Sequence, residues 1–322
     1  MRDPPLHLIN YEEFPHKAGE CPEFRQERGK RGNMRKRIIA LLAAATLTMG
    51  LLVGCGGSAG KTETETTSAE APAGELEVIT VAASTTPHAE ILAQAAPILK
   101  EQGYDLQVTV FEDYVQPNMV VDTGDMDANY FQHINYLNSF NEENGTKLAI
   151  AENGKIHYEP FGIYPGKKAT LDELADGDAI AIPNDTTNEA RALLLLQQEG
   201  LITLKEGAGI TATVNDVAEN PKNLELVEVE AAQVPKQLPS VAFGVINGNY
   251  ALEAGLNVKN DALAIEAADG DAIQQYVNVI AVKEGNEASE KIVALTNALK
   301  SETIVNYIND TYEGAVVPYA GE

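Results

Sequence analysis

From residue 76 onward the spacing of apolar and polar positions changes several times, and each change marks an element. Residues 76–83 form a strand-like run, and Ser84-Thr85-Thr86-Pro87 behind it reads as a helix start, with Thr86 as N-cap and Pro87 at the first helical position. The pattern predicts a helix to about Gln102, ended by Gly103. In 106–111, Leu106, Val108 and Val110 alternate with Gln107 and Thr109, the period of a strand. Strand, helix, strand is a βαβ unit and calls for a parallel sheet. Strands at 147–150 and 156–164 follow, with Pro160, Pro165 and Gly166 interrupting them. A second series reads as strand 179–182, helix 186–199 closed by Gly200, a helical turn at 214–219, strand 224–229 and helix 231–238. Apolar strands at 241–246 and 276–282 and helices at 287–300 and 301–309 complete it. No internal repeat is visible, yet both series are α/β. The fold class is therefore α/β, with two similar lobes joined by strands near 156–164 and 276–281 and a cleft between them. The expected boundaries are 76–162 plus 279–322 for lobe I and 163–278 for lobe II.

Upstream of residue 76 the pattern is different. Met34-Arg35-Lys36-Arg37 precedes an uncharged run, 38–54, that ends in Leu52-Val53-Gly54-Cys55. A basic segment, an apolar segment and a small residue before Cys describe a bacterial lipoprotein signal, 34–54, with Cys55 as the lipidated residue. The run is 17 residues long, short of the roughly 20 that a bilayer span needs; a retained anchor helix would leave the domain on the same side of the membrane. Residues 1–33 read as an over-extended N-terminus ahead of a start at Met34. From 55 to 75 Gly, Ser, Thr, Glu, Ala and Pro dominate, a flexible tether.

Charge and cysteine usage narrow the functions. The chain has 23 Lys+Arg against 48 Asp+Glu; residues 1–54 hold nine of the former and six of the latter, so 55–322 carries a formal net charge of −28. Such acidity argues against nucleic acid as a partner. Cys55 is the only cysteine from that point on, which leaves no disulfide framework and no thiol for catalysis or zinc.

Candidate chemistry concentrates in a few places. The stretch 123–138, with Tyr114 ahead of it, brings Phe131, His133, two tyrosines and several amides together in a chain poor in aromatic residues, a composition suited to a ligand pocket. Arg191 is the only arginine after Cys55, three residues beyond Asn188 near a helix start; it suits a bidentate grip on a carboxylate, or else a surface salt bridge. The segment 183–188 offers a helix N-terminus to an anion, unless Asp185 is simply the N-cap. Asn278 interrupts an apolar strand and needs partners there. Asn247 stands either at a site or in an ordinary Asn-Gly turn. His88, His133 and His157 show no metal-ligand spacing, and no phosphate loop or nucleophile elbow is present, so neither metal nor cofactor is expected.

Thr-Pro-His-Ala-Glu-Ile-Leu at 86–92, Asp-Tyr-Val-Gln-Pro-Asn at 113–118 and Asp-Ala-Asn-Tyr-Phe-Gln-His at 127–133 come in that order. Pro-Asn-Asp with Asn188 and Arg191-Ala-Leu, Ile-Asn-Gly-Asn-Tyr-Ala at 246–251 and Tyr-Val-Asn at 276–278 follow. With the lipobox, this set resembles the MetQ/NlpA family, methionine-binding lipoproteins of ABC importers, over essentially all of 76–322. The resemblance implies a two-lobe periplasmic-binding-protein fold, lipid-anchored on the extracytoplasmic face of the cell membrane. It implies closure on methionine and delivery to a permease driven by a cytoplasmic ATPase, with no catalysis. By position, Arg191 would hold the ligand carboxylate with Asn188 beside it. Asn247 and Asn278 would bond the amino group, and Tyr114, Phe131 and His133 would wall the side-chain pocket, with Tyr130 facing away. D-methionine, a methionine dipeptide or another small apolar amino acid are the alternative ligands. Different in kind are an enzyme using His133 with a carboxylate in the same cleft and a surface adhesin.

Overall fold

The computed structural model of the protein describes residues 75–267 and 274–321. The expected signal segment, Cys55 and the tether behind it lie outside the described residues. In chain order the first elements are β1 (Glu77–Ala83), α1 (Glu90–Glu101), β2 (Tyr104–Val110), α2 (Gln116–Thr123), β3 (Ala128–His133), α3 (Ile134–Asn144) and β4 (Leu148–Tyr158). After a link at 159–161 come β5 (Gly162–Pro165), β6 (Ala179–Pro183), α4 (Thr186–Gln198), β7 (Thr203–Leu204), β8 (Val217–Glu219) and β9 (Glu225–Val229). Then follow α5 (Val234–Gln237), β10 (Phe243–Ile246), α6 (Gly248–Glu253), α7 (Val258–Asp261) and β11 (Ala264–Ile265). The last are β12 (Val277–Lys283), α8 (Glu290–Leu299), α9 (Glu302–Tyr312) and β13 (Val317–Pro318).

Two main sheets result, six strands in the order β13-β4-β12-β3-β1-β2 and five in the order β11-β5-β10-β6-β9. β1 pairs in parallel with both β2 and β3, as the βαβ pattern requires, and β6 pairs in parallel with β9 and β10. The apolar runs explain the burial. β12 is buried from Val277 to Val282 and β10 along its whole length, so both read as continuous hydrophobic segments rather than alternating ones. Asn278 pairs with His133 of β3 on one side and His157 of β4 on the other, which sets it in the six-stranded sheet rather than at the end of the second lobe.

Several local expectations needed correction. Thr86 is extended, as a cap must be, but its hydroxyl donates to Glu90 Oε2 instead of accepting from the backbone, and regular α-helix starts only at Glu90. The two strands expected at 147–150 and 156–164 have different bounds. β4 runs unbroken through Glu152-Asn153-Gly154, where Asn153 takes a φ of 57° and the register with β12 shifts, and it stops before Pro160. The stretch from 128, read from its composition as part of a pocket, is a buried strand, β3, running straight into α3. Its amides are largely structural: Gln132 exchanges hydrogen bonds with Asn118 of α2, at 2.9 and 2.6 Å, and Asn129 donates to Asn118 Oδ1. Asn247 is not in an ordinary Asn-Gly turn but at the cap position of α6.

Candidate functional site

β3, β6 and β10 all end at one cavity, together with the link between β4 and β5, the end of open α/β sheets at which ligands bind. Tyr114, Phe131, His133, Asn188, Arg191, Asn247 and Asn278, the seven residues singled out in the sequence, all line it. Tyr130 does not: it is fully buried on the other face of β3, and its hydroxyl donates to His157 Nδ1. Gln132, Tyr136, Glu159, Gly248 and Asn249 also line the cavity and were not foreseen.

The aromatic wall is built from facing rings. Tyr114 stacks on Tyr250 at 4.9 Å between centroids, lies 5.6 Å from Phe131, and meets Tyr136 edge-on at 5.5 Å. Tyr136 follows His133, the N-cap of α3, by three residues, and its backbone N–H donates to His133 Nδ1.

Arg191 is buried and charged, but its geometry overturns the expected bidentate grip. Nε donates to Glu266 Oε2 at 2.8 Å, and Nη2 donates to Glu266 Oε1 and, at 3.0 Å, to the carbonyl of Glu159. The forked edge is therefore already occupied. The arginine is both a cavity residue and half of an ion pair, here a buried one. Burial alone would make the guanidinium more acidic, yet the charge of Glu266 and its hydrogen bonds raise it further above its ordinary value. The guanidinium plane lies 4.2 Å from the Tyr276 ring centroid, which fixes the remaining edge in direction.

The helix N-terminus at 185–188 is not open to an anion, because Asp185 caps it: Oδ1 accepts from the backbone N–H of Asn188 at 3.1 Å. The same carboxylate holds the Asn188 side-chain NH2 at 2.8 Å. Asn188 Oδ1 then accepts from Asn247 Nδ2 at 2.7 Å and from His133 Nε2 at 3.2 Å. His133 Nδ1 accepts from the Tyr136 N–H at 3.0 Å, so its proton resides on Nε2.

On the opposite wall Glu159 joins two imidazoles. His157 Nε2 donates to its Oε1 at 2.7 Å and His88 Nε2 approaches the same oxygen at 3.3 Å, while also reaching Asn278 Oδ1 at 3.1 Å. Ser84 Oγ occupies His88 Nδ1 at 2.6 Å, and Tyr130 occupies the corresponding nitrogen of His157. The donor atoms of His88, His157 and Glu159 lie within 4.8 Å of one another. Their 2.7 Å contact is that of a hydrogen bond, shorter than two ligands spanning a zinc ion at about 2.0–2.2 Å would require. Burial pushes Glu159 above the ordinary carboxylate range.

Burial also holds these imidazoles neutral, His88 down to about 4 and His157 to about 3, and the charge of Arg191 adds to burial in lowering His133 to about 3. In the unfolded chain each takes up its proton near 6.5. Between about 6.5 and about 4 the unfolded state then binds more protons than the native one, so stability falls as pH drops. Each histidine contributes up to about 1.4 kcal/mol per pH unit inside its window. Thermal melts are expected to show Tm declining across that interval, with His157→Gln flattening the slope. A Tm that does not change there would contradict neutral burial of the rings.

A sequence model described as NlpA lipoprotein matches residues 79–320. The chain is 40% identical to a methionine-binding lipoprotein MetQ of Bacillus subtilis over 272 residues, 84% of this chain and 94% of that protein. It is also 40% identical to a D-methionine-binding lipoprotein MetQ of Escherichia coli, over 71% of this chain and 83% of that protein. Among solved structures, a lipoprotein from Ruminococcus gnavus superposes with a TM-score of 0.74 at 65% identity, covering 76% of this chain and 99% of that one. A nutrient-binding protein from Burkholderia cenocepacia bound to methionine superposes with a TM-score of 0.70 at 40% identity, covering 74% and 99%.

Proposed function

The chain belongs to the NlpA lipoprotein family, and we propose from that premise that it is the substrate-binding lipoprotein of an ABC importer for methionine. It acts as a receptor: it captures methionine outside the cytoplasmic membrane, held there by lipid on Cys55, and delivers it to a permease coupled to a cytoplasmic ATPase. The ligand sits between a first lobe built on the six-stranded sheet, which includes Asn278, and a second lobe built on the five-stranded sheet, which starts at Gly162. Bridging both, it favours the closed form by its differential affinity for that form.

The observation that carries this reading is the pairing, in one cavity, of a lone buried guanidinium with an aromatic wall. The carboxylate of the ligand meets Arg191 on its free edge. Asn247 and Glu159 face the amino group, Asn188 holds Asn247 in place, and Asn278 completes the polar end. The thioether lies against Tyr114, Phe131, His133 and Tyr136, where sulfur–ring contacts are worth about 0.3–1.5 kcal/mol. Two features speak for capture rather than turnover. Among the described residues lining the cavity there is no Ser, Thr, Cys or Lys, and the imidazole of His133 already has a partner on each nitrogen.

Mass spectrometry of whatever co-purifies with the chain from Ser58 onward, followed by calorimetry with L-methionine, D-methionine, leucine and a methionine dipeptide, tests the reading. Methionine of one hand or the other is expected to bind tightest, ahead of leucine and the dipeptide. Tighter binding of leucine or of the dipeptide than of either methionine would overturn it.

A further inference from the structure

Two neighbouring asparagines in the cavity wall each keep one buried side-chain atom without a partner, and the two atoms are of opposite kind. Asn247 Oδ1 is an unpaired acceptor and Asn249 Nδ2 an unpaired donor, on either side of Gly248. Their orientation is not left to chance. Tyr114 OH donates to Asn249 Oδ1, which turns the Asn249 NH2 free. Asn247 is oriented from further away. The carboxylate of Asp185 can only accept, and it takes the Asn188 NH2 through both oxygens, at 2.8 and 3.1 Å. Asn188 must therefore point its oxygen the other way, toward Asn247 Nδ2 and His133 Nε2, and both of these are donors. With its NH2 occupied, Asn247 is left facing the cavity as an acceptor.

We propose that Asp185 is a positioning residue that sets the polarity of the ligand site: through Asn188 it makes Asn247 an acceptor and so selects a ligand with an ammonium group at that point. The proposal rests on the reading of the cavity as an amino-acid site. Asp185 itself does not line the cavity. Its second duty, as N-cap of α4, can be separated from the first, because a serine hydroxyl caps a helix about as well as a carboxylate but cannot hold the Asn188 NH2 at two oxygens.

The test compares methionine with 4-(methylthio)butanoate, which keeps the carboxylate and thioether and lacks the ammonium. A site with a buried group left unpaired rejects such an analogue by orders of magnitude, so the purified protein is expected to prefer methionine by roughly a hundredfold or more. In Asp185→Ser, Asn188 is free to turn over and Asn247 with it, and the preference is expected to fall at least about tenfold. Loss of a helix cap alone would weaken both compounds alike and leave the ratio unchanged. Adding Asn247→Asp to Asp185→Ser is expected to restore the preference, since the new carboxylate is an acceptor in any orientation and Asn188 can now offer it an NH2. Asn247→Asp alone is expected to bind methionine less well than this pair, because Asp185 still turns the Asn188 oxygen against the new carboxylate. Thermal melts confirm that each variant is folded; should Asp185→Ser not fold, the isosteric Asp185→Asn carries the same expectation. Methionine binding with an unchanged ratio in the folded variants overturns the relay alone. Failure of the unaltered protein to bind methionine overturns the reading of the site, and the relay with it.

Discussion

Arg191→Ala is expected to weaken methionine binding by about thirtyfold or more and, at the same time, to lower the unfolding free energy by about 3–5 kcal/mol. The first effect follows from the proposed contact of this buried guanidinium with the ligand carboxylate. The second follows from Glu266. Its side chain is 9% exposed, that of Arg191 is 5%, and no other cation pairs with it among the described residues. Without the arginine, Glu266 is a buried charge held only by the Tyr158 hydroxyl and the Phe161 N–H. Most of the cost comes from that uncompensated charge rather than from the pair itself, because replacing both ions of a buried pair together is often close to neutral. Arg191→Met combined with Glu266→Gln is therefore expected to recover most of the stability and none of the binding; the amide oxygen still accepts from Tyr158 and Phe161. Denaturant unfolding and calorimetry on the single and double variants measure the two effects separately. Unchanged affinity in Arg191→Ala would remove the carboxylate assignment, and a double variant no more stable than the single would show that Glu266 was not the source of the loss.

That dependence on Glu266 marks where the sequence stops being readable. Arg191, Asn278, His133 and Phe131 were legible because each is out of place locally: a single arginine among lysines, an amide in an apolar strand, a ring and an imidazole in a chain poor in both. Residues that break a local rule are where sites are built. Glu159 and Glu266 break no rule. They are two of 42 acidic residues after Cys55, and only the fold shows that one lies in the link between the sheets and the other 75 positions beyond the arginine it holds. Asn249 was masked by its setting, since Asn-Gly-Asn reads as a turn before it reads as the start of a helix. The fold was legible where apolar periods are long, as in β1, α4 and β12. It was misread at β4, where Asn153 and Gly154 carry the signature of a hairpin yet lie inside a continuous strand bent over β12. The shape of a guanidinium suits a bidentate grip on a ligand, but Glu266, which fills the fork of Arg191, is visible only in the fold.

Glu159→Gln is expected to weaken methionine by a similar or larger factor than Arg191→Ala, about 2–5 kcal/mol, and to change the pH profile as well. Glu159 accepts from His157, from His88 and from the N–H of Asn249. Each of these is a donor, so a glutamine must turn its NH2 against one of them, which leaves a buried donor unpaired at about 1–3 kcal/mol. It also removes the carboxylate that, alone among the described residues, lines the cavity, and with it the negative charge proposed to face the ammonium of the ligand. The pH dependence separates these two effects. Because burial raises the Glu159 carboxyl, it takes up its proton above the ordinary carboxylate range. His88 and His157, its direct partners, stay neutral down to about 4 and about 3, and Arg191 stays charged throughout. Affinity in the unaltered protein is therefore expected to decline on acidification before an ordinary glutamate would titrate, and this decline should be missing in Glu159→Gln, whose affinity is low at every pH. If the variant instead keeps the same acid decline, the titrating group is not Glu159. If its affinity at neutral pH is unchanged, the ammonium is held by Asn247 without help from a charge.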